Sequence, residues 1–340
     1  MRQINKTIYV LNDDYYIHCE NEALVFRKKN EEICRIPSLG IEQIIIFGNT
    51  TVSSYLIGYC CKHNILLSYV TKYGNYQGSF YGEMNGNVLL RKKQYSLFNT
   101  DQERQIAKNI VLGKAINSRH TLLRAAKNAK EEEKSAINIA CDKIRELIEK
   151  VIMADSISSI RGLEGVIADI YFAQFDKMIK TNDSTMLFVK RSRKPPLNNC
   201  NAALSLLYTL ATLNCVSAIE CAGLDSEFGF LHALRSGRHS LACDLVEEFR
   251  SCMVDRYVIK MINLRKITSN DFENDGSGIR FKEKKLNEFL NEWEDYKSQE
   301  LEHPLYKKKI QIKAIPYIQA QLLAENIRGD ISEYPPIEWR

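Results

Sequence analysis

The chain has 340 residues, which is long enough for two domains that each bury a core. Hydrophobic residues make up 45% of the composition and charged residues 26%, as in a globular protein and unlike a disordered chain. We find no apolar run long enough to cross a bilayer, and the N-terminus lacks the apolar core of a signal peptide. We therefore expect a cytoplasmic protein that does not contact a membrane.

The ten cysteines are scattered along the chain and never occur as a CxxC pair. This distribution favours reduced, buried side chains over disulfides, and it makes a zinc site less attractive.

Strand-like segments dominate the first part of the chain. Seven short segments rich in β-branched and aromatic residues are separated by turn residues between positions 7 and 82. Residues 53–64 interrupt them with apolar residues at helical spacing. The pattern predicts an N-terminal β-sandwich or rolled sheet of about six or seven strands, with one helix.

From residue 89 onward the pattern is helical with few interruptions. Asp101 is expected to cap the N-terminus of a long helix, and Pro316 opens a last helix that ends at Gly329. The run NDGSG at 274–278 predicts a loop. The fold class is therefore α+β with several domains. We expect a β-sandwich at 1–88, an all-α domain at 89–330 and an irregular tail at 331–340.

Positive charge is clustered along the chain. The net charge of +5 is too small to demonstrate a polyanionic partner, so the local distribution carries more information. A single cluster is explained by a solvated surface, whereas several clusters favour binding to nucleic acid. The clusters are Arg91, Lys92 and Lys93; Lys190, Arg191, Arg193 and Lys194; and Lys307, Lys308 and Lys309.

Acidic residues and a histidine occur together in an apolar context. Asp244 and Glu247 share one face of a predicted helix, and His232 lies upstream across a turn that contains Gly237. Glu164 lies in a second helix that is apolar on most sides, so we expect that helix to be largely buried. A buried carboxylate requires a cation, a hydrogen-bond network or a metal ion.

Taken singly, these residues have simpler explanations. Glu164 is explained by a buried ion pair with Arg161 or with an arginine of another helix, and His232 by a hydrogen bond to a backbone carbonyl. Taken together, two carboxylates and a neutral imidazole suit Mg²⁺ or Mn²⁺, with positions left for water and phosphate.

Basic side chains accompany this acidic group. A metal ion held by Glu164, His232 and Glu247, with arginines nearby, suits phosphoryl chemistry on DNA. Ordinary solvation at the protein surface explains Arg235 and Arg238 equally well. The arginines are Arg235, Arg238 and Arg250.

Three motifs resemble one protein family. They are RGLEGVIADIYF around Glu164, KPPLNNCNAALSLLYTLA at 194–211 and FGFLHALRSGRHSLACDLVEEFRSCMVD at 228–255. In order and spacing they resemble Cas1, the CRISPR-associated integrase and metal-dependent DNA endonuclease of the adaptation module. The stretch at 47–74 and the C-terminal segment also resemble the type I-C branch, so the resemblance covers nearly the whole chain.

The resemblance implies a site and a reaction. Glu164, His232 and Glu247 fall on the family's metal-ligand positions, and Asp244 falls on an acidic position that some members use as well. Which of the two acids binds the metal is left open. The implied reaction is attack by the 3′ hydroxyl of a prespacer on a phosphodiester of the CRISPR array, with Mg²⁺ or Mn²⁺ as cofactor.

The resemblance also implies partners. They are duplex prespacer DNA, the repeat and its leader, a second copy of the chain joined through the β-sandwich, a Cas2-type protein and a Cas4 nuclease. Candidate DNA contacts are Arg91, Lys92, Lys190, Arg191, Arg193, Lys194, Arg235, Arg238 and Arg250.

Two other functions stay open at this point. An architectural DNA-binding subunit, whose buried acids only pair with arginines, would bind DNA without metal and in a salt-sensitive way. A metallohydrolase of small phosphoesters would turn over without DNA, and the basic clusters argue against it.

Overall fold

The computed structural model describes residues 6–29, 31–80, 82, 88–192, 195–274, 276 and 278–339. The chain divides into two compact units. Unit 1 comprises residues 1–85 and 281–296, and unit 2 comprises residues 86–280 and 297–340.

Within its described residues, unit 1 contains two four-stranded sheets, with strand orders β1-β5-β7-β8 and β4-β3-β2-β6. In the first sheet β1, β5 and β7 are parallel and β8 is antiparallel. The strands are β1 (Lys6–Val10), β2 (Tyr16–Glu20), β3 (Ala23–Lys28), β4 (Glu31–Pro37), β5 (Ile41–Phe47), β6 (Thr51–Val52), β7 (Leu66–Val70) and β8 (Tyr76–Phe80).

Apolar side chains from both sheets share one core, which confirms the predicted sandwich. Ile17 and Leu24 of one sheet and Ile44 and Leu67 of the other belong to the same buried cluster. Helix α1 (Ser54–Lys62) confirms the helical segment expected at 53–64. It contributes Leu56 to this core, and the side chain of Ser53 caps its N-terminus. The two-residue strand β6 was not predicted, because it is too short to show alternation.

A later segment of the chain also belongs to unit 1. Helix α9 (Glu283–Lys297) buries Phe289 and Trp293, and Glu294 accepts a hydrogen bond from the hydroxyl of Tyr9 in β1. The expected division placed all of 89–330 in the helical domain, whereas the contacts place residues 281–296 with unit 1. Periodicity along the sequence identifies this helix but not the unit on which it packs.

Unit 2 is mainly helical. Helix α3 packs against α4, α5 and α7, and α6 packs against α7 and α10. A π-helical segment, Arg250–Asp255, joins α7 to α8. The helices are α2 (Val88–Ser96), α3 (Asp101–Ala126), α4 (Glu131–Met153), α5 (Ile157–Phe172), α6 (Asn199–Cys221), α7 (Ser240–Glu247), α8 (Arg256–Asn263) and α10 (Ile315–Arg328).

The helix ends follow the capping residues closely. Thr100, and not Asp101 as expected, caps α3, because its hydroxyl accepts from the backbone N–H of Glu103 while Asp101 is the first helical residue. Helix α10 ends at Gly329, whose φ of 86° confirms the predicted left-handed stop.

The helical domain also contains two short hairpins that were not predicted. They are formed by β9 (Phe272–Asn274) with β10 (Ile279–Phe281), and by β11 (Glu300–Glu302) with β12 (Lys309–Gln311). The run NDGSG, for which a loop was predicted, begins at the last residue of β9 and precedes β10, and its residues 275 and 277 lie outside the described residues. Strands of three residues are too short to give a period-two signal.

Helix α6 corrects one expectation from the sequence. In the described part of the chain it is the one helix long and apolar enough to cross a membrane, so the statement that no run reaches this length was wrong. Of its most apolar window, 78% is buried inside the protein, so these side chains form the core of unit 2.

Candidate metal centre

Asp244 organises the loop that precedes α7. Its Oδ2 accepts hydrogen bonds from the backbone N–H groups of Phe230 at 2.6 Å and Leu231 at 2.9 Å, and its Oδ1 accepts from that of His232 at 2.8 Å. A Cβ at Gly229 would lie 2.7 Å from Asp244 Oδ2 and 2.7 Å from the backbone of Ser240. Glycine at this position therefore allows the loop to close around the buried carboxylate.

The same carboxylate fixes the imidazole of His232. Nδ1 of His232 lies 2.6 Å from Oδ1 of Asp244, so Nδ1 carries the proton that it donates, and in the neutral imidazole the lone pair is on Nε2. Nε2 lies 3.9 Å from Oε1 of Glu247. The simpler explanation, a bond from His232 to a backbone carbonyl, is not what the structure contains. A histidine oriented by a carboxylate through one nitrogen is the usual form of a metal ligand.

Glu247 ends α7 and is almost completely buried. Its Oε1 lies 2.8 Å from the guanidinium of Arg250, and its Oε2 lies 2.7 Å from Nζ of Lys114. Burial alone would raise the pKa of Glu247, but Arg250 and Lys114 outweigh it and lower that pKa below its usual value. The carboxylate is therefore ionised at neutral pH.

Glu164 has a different partner from the one expected. Its carboxylate pairs with Lys114 of α3, whereas Arg161 donates to the backbone carbonyl of Leu231. The expectation that its helix is largely buried was also wrong. α5 buries only a stripe that includes Ile160 and Ile167, and the side chain of Glu164 keeps 25% of its surface exposed. A helix can be apolar in composition and still line an accessible surface.

The donor atoms of this region suit a divalent ion in kind but not in their present arrangement. No three acidic, histidine or cysteine side chains of the described residues converge tightly enough to hold an ion as they stand, because Lys114 lies between Glu164 and Glu247. Oε2 of Glu247 is buried and, despite the nearby ammonium group, receives no hydrogen bond with good geometry within the described chain. The carboxylates of Glu164 and Glu247, the latter through Oε2, and Nε2 of His232 fit Mg²⁺ or Mn²⁺ once Nζ of Lys114 moves aside.

Two arginines extend the centre on one side. Arg250 and Arg191 both lie over the ring of Tyr208, with Cζ 5.0 Å and 5.2 Å from its centroid. The hydroxyl groups of Tyr208 and Tyr171 donate to the carboxylate of Asp255. Burial raises the pKa of Asp255 to about 6, against the opposing effect of these hydrogen bonds.

The other predicted DNA contacts are dispersed. Lys92, Lys190 and Arg235 are exposed. Arg91 instead lies 3.8 Å from Glu220, so its charge is balanced within the protein. Arg238 is half-buried and hydrogen-bonds to Cys243. Arg193 and Lys194 lie outside the described residues.

Lys114, Tyr208 and Asp255 are the members of this region that the sequence did not reveal. A signal for Lys114 was present, because it follows Ile110 and Val111 by four and three residues on a helix face that is buried. A lysine at such a position requires an acidic partner.

The sequence is similar to a known family throughout. The family described as "CRISPR associated protein Cas1" matches residues 8–295. CRISPR-associated endonuclease Cas1 2 of Rhodospirillum rubrum is 37% identical over all of both chains. CRISPR-associated endonuclease Cas1 1 of Chlorobaculum tepidum is also 37% identical over all of both chains. A Cas4 exonuclease/Cas1 endonuclease fusion of Rhodospirillum rubrum is 31% identical over 87% of this chain and 51% of the fusion.

Solved structures share the fold. A chain of a Cas6-RT-Cas1–Cas2 complex aligns with a TM-score of 0.85 and 24% identity, over 99% of this chain and 36% of that one. A casposase bound to its integration product aligns with a TM-score of 0.83 and 22% identity, over 99% of this chain and 95% of that one. The match of the family over most of the chain and the full-length relatives lead to one conclusion: the chain belongs to the Cas1 family of CRISPR-associated proteins.

Proposed function

We propose that this member of the Cas1 family is the integrase and DNA endonuclease of CRISPR adaptation, and that Glu164, His232 and Glu247 bind its divalent ion. The observation that carries the assignment of ligands is the hydrogen bond from Nδ1 of His232 to Asp244. It directs Nε2 toward Glu247 and commits both oxygens of Asp244 to donors of the protein. Asp244 therefore orients the histidine, and Glu247 is the acid of the pair that binds the ion.

The reaction exchanges one phosphodiester for another. The 3′ oxygen of the incoming strand forms a bond to phosphorus, the bond from phosphorus to the 3′ oxygen of the array strand breaks, and the proton of the attacking hydroxyl passes to solvent while the leaving oxygen gains one. The number of phosphodiesters is unchanged, so no nucleotide hydrolysis is required. A divalent ion, when bound, polarises the phosphate and stabilises the leaving oxygen.

The residues of the chain supply geometry and charge. Asp244 holds the imidazole in one tautomer, and Arg250 keeps the carboxylate of Glu247 ionised. Arg191, fixed by hydrogen bonds to Asn201 at 2.8 Å and Ser205 at 3.0 Å, adds positive charge across Tyr208. This arrangement favours a phosphate close to the centre. The exposed basic side chains then hold the DNA on either side, with a salt-dependent contribution to affinity.

Partners follow from the relatives. The chain shares its fold with a component of a complex that contains Cas1 and Cas2, and a relative is fused to a Cas4 exonuclease. We infer that this protein works with a Cas2-type partner and associates with a Cas4 nuclease. A homodimer formed by the β-sandwich, membership of the type I-C branch, a cytoplasmic location and the choice of Mg²⁺ or Mn²⁺ are proposals at the same level.

Strand joining tests the function. The protein is incubated with a Cas2-type partner, a short duplex with free 3′ ends and a supercoiled plasmid carrying a repeat, with Mg²⁺, Mn²⁺ or EDTA. We expect joined product only with metal, and its loss in Glu164→Ala, His232→Ala and Glu247→Ala. Lys143→Ala in α4 is the matched surface control and should keep joining, because Lys143 is exposed and lies outside the basic clusters and the proposed centre.

The alternatives give different results in the same assay. DNA binding without joining under every metal, with the partner present, would favour an architectural subunit. Hydrolysis of a small phosphoester without DNA would favour a general metallohydrolase. Full joining by any of the three ligand variants would remove that residue from the proposed centre.

A further inference from the structure

Lys114 occupies an unusual position for a lysine. Its side chain is 90% buried, and its Nζ pairs with Glu164 of α5 and with Glu247 of α7, the latter at 2.7 Å. The ammonium group thus joins carboxylates that come from two different helices. Burying a lysine is costly, so a lysine in this place indicates that the two acids need a cation between them.

The backbone brings Lys114 to this point in a defined way. A Cβ at the preceding Gly113 would lie 3.1 Å from Cγ of Glu248 and 2.9 Å from Cβ of Pro336, so α3 approaches the end of α7 more closely than a larger residue would allow. One turn later, Asn117 donates to the carbonyls of Glu248 at 2.9 Å and Ile337 at 2.8 Å. Nζ of Lys114 therefore reaches Glu247 from a helix that is fixed on both sides of it.

Charge compensation alone does not explain the position. Glu247 already pairs with Arg250 through its other oxygen, at 2.8 Å. Lys114 instead contacts both Glu164 and Oε2 of Glu247, a buried oxygen that lacks a well-directed donor within the described chain. This is the side on which an ion shared by Glu164 and Glu247 would have to bind.

We propose that Lys114 is a positioning residue that holds Glu164 and Glu247 together in the metal-free protein, and that a divalent ion must displace its ammonium group to bind. The proposal rests on the proposed function only in taking these two acids as ligands. The ammonium group of Lys114 therefore competes with the divalent ion for the two carboxylates. Lys114 stabilises the metal-free centre and, by the same interaction, weakens the apparent affinity for the ion.

Two uncharged variants test the competition. Lys114→Met keeps the length of the side chain and removes the charge, and Lys114→Gln keeps a hydrogen-bond donor. Thermal unfolding is followed in EDTA and across a titration with Mn²⁺, and Mn²⁺ binding is measured directly by calorimetry. The matched control is Lys108→Met on the same helix, because Nζ of Lys108 donates to an exposed backbone carbonyl, that of Ile152, at 2.8 Å.

We expect both Lys114 variants to melt about 5 °C or more below the parent protein in EDTA, because the buried Glu247 and the partly exposed Glu164 lose their shared cation. We expect them to recover most of this loss with Mn²⁺ and to bind Mn²⁺ about tenfold more tightly or more. Lys108→Met should match the parent in its Mn²⁺ affinity.

Unchanged or weaker Mn²⁺ affinity in both variants would overturn the proposal, and so would variants that stay unfolded at saturating Mn²⁺. Strand joining, run in parallel, separates this result from the proposed function. If the Lys114 variants bind Mn²⁺ more tightly but the parent protein does not join strands, the competition is supported and the integrase function is rejected. If the parent joins strands with metal but the variants bind Mn²⁺ as the parent does, the integrase function is supported and the competition is rejected.

Discussion

Asp244 and Glu247 are both acidic and only three residues apart, yet their carboxylates have different partners. Asp244 accepts three backbone N–H groups and the imidazole of His232, so its oxygens are committed within the protein. Glu247 faces Nε2 of His232 and two cationic side chains. The geometry therefore supports our proposal that Asp244 orients the histidine and that Glu247 is the acid that binds the ion.

This division predicts different defects for two conservative substitutions. Asp244→Asn replaces an oxygen by an NH₂ group that faces other donors, so His232 loses its fixed tautomer, and we expect Mn²⁺ affinity to fall by about 10–100-fold. Glu247→Gln removes a ligand, and we expect no measurable Mn²⁺ binding. Calorimetric titration of both variants with Mn²⁺ makes the comparison. The reverse order of defects would exchange the two roles.

Gly229 gives a second test at a single residue. Gly229→Ala would place a methyl group 2.7 Å from Asp244 Oδ2 and from backbone atoms of Ser240, so the loop must move away from the carboxylate. We expect weaker Mn²⁺ binding and a loss of stability of about 1–3 kcal/mol.

The control is Gly162→Ala in α5, where a Cβ meets no atom within 4 Å. There we expect a gain of up to about 1 kcal/mol from helix propensity. Urea denaturation measures both changes, and an equal effect of the two substitutions would show that the close approach at Gly229 is unimportant.

The residues of the proposed centre were easier to predict from the sequence than the contacts between them. The charges of Glu164, His232 and Glu247 in apolar segments, together with the resemblance to Cas1, pointed to the residues that the fold brings together. The sequence did not identify Lys114, because the partner of a buried acid can come from any helix that packs beside it. The choice between Asp244 and Glu247 also required three-dimensional distances.

At the scale of elements, the irregular C-terminal segment is an integral part of the helical unit. Tyr334, Ile337 and Trp339 are buried, although residues 331–339 form no helix or strand. The hydroxyl of Tyr334 and the N–H of Ile337 both donate to Glu248, the neighbour of Glu247. The segment thereby holds the C-terminal end of α7 in place through Glu248.

Tyr334→Phe tests this contact. It removes the donor to Oε1 of Glu248 and leaves the ring in place, so we expect a loss of stability of about 1–3 kcal/mol in urea denaturation, as for a buried hydrogen bond left unmade. Tyr306→Phe is the matched control, because Tyr306 is 46% exposed, and it should change stability little. Equal stability of Tyr334→Phe and the parent protein would show that the segment does not support α7 through this bond.

Asp255 links α5, α6 and the π-helical segment through Tyr171 and Tyr208. Because its carboxyl group is buried, we expect the stability of the fold to depend on pH. Burial raises its pKa from 3.8 to about 6, so the folded protein keeps a proton that the unfolded chain loses above pH 3.8. Its contribution to stability is complete below about pH 4 and falls as pH rises through about 6, by about 3 kcal/mol in total.

Asp255→Asn carries no such charge and should lack this part of the pH dependence. Denaturation by urea at pH 4.5 and pH 7 gives the test, since other titrating groups contribute equally to both proteins. The parent should lose more stability over this interval than the variant. Parallel pH profiles would show that Asp255 is not protonated in the folded protein.

The main elements were predictable, and the exceptions have physical causes. Strands of five to seven residues and capped helices leave clear periodic signals, as β5 and α10 do. The three-residue strands of β9 to β12 leave none. Helix α9 contacts Tyr9 of β1 through Glu294, 285 residues away along the chain, and local patterns carry no information about such contacts.

At the scale of the whole molecule, the centre belongs to unit 2 and draws on distant parts of its chain. Helix α3 supplies Lys114, α5 supplies Glu164, the loop before α7 supplies His232, and α7 supplies Glu247. The proposed ligands are far apart in sequence, so the unfolded chain does not bring them together, and binding of the ion and folding of unit 2 should be coupled.

The most direct test of the proposed centre is pulsed electron paramagnetic resonance of the protein loaded with one Mn²⁺ ion. The account predicts coupling from one histidine nitrogen, which is lost in His232→Gln and kept in His239→Gln, a substitution seven residues away. A Mn²⁺ signal without histidine coupling, or one that is unchanged in His232→Gln, would contradict the centre proposed here.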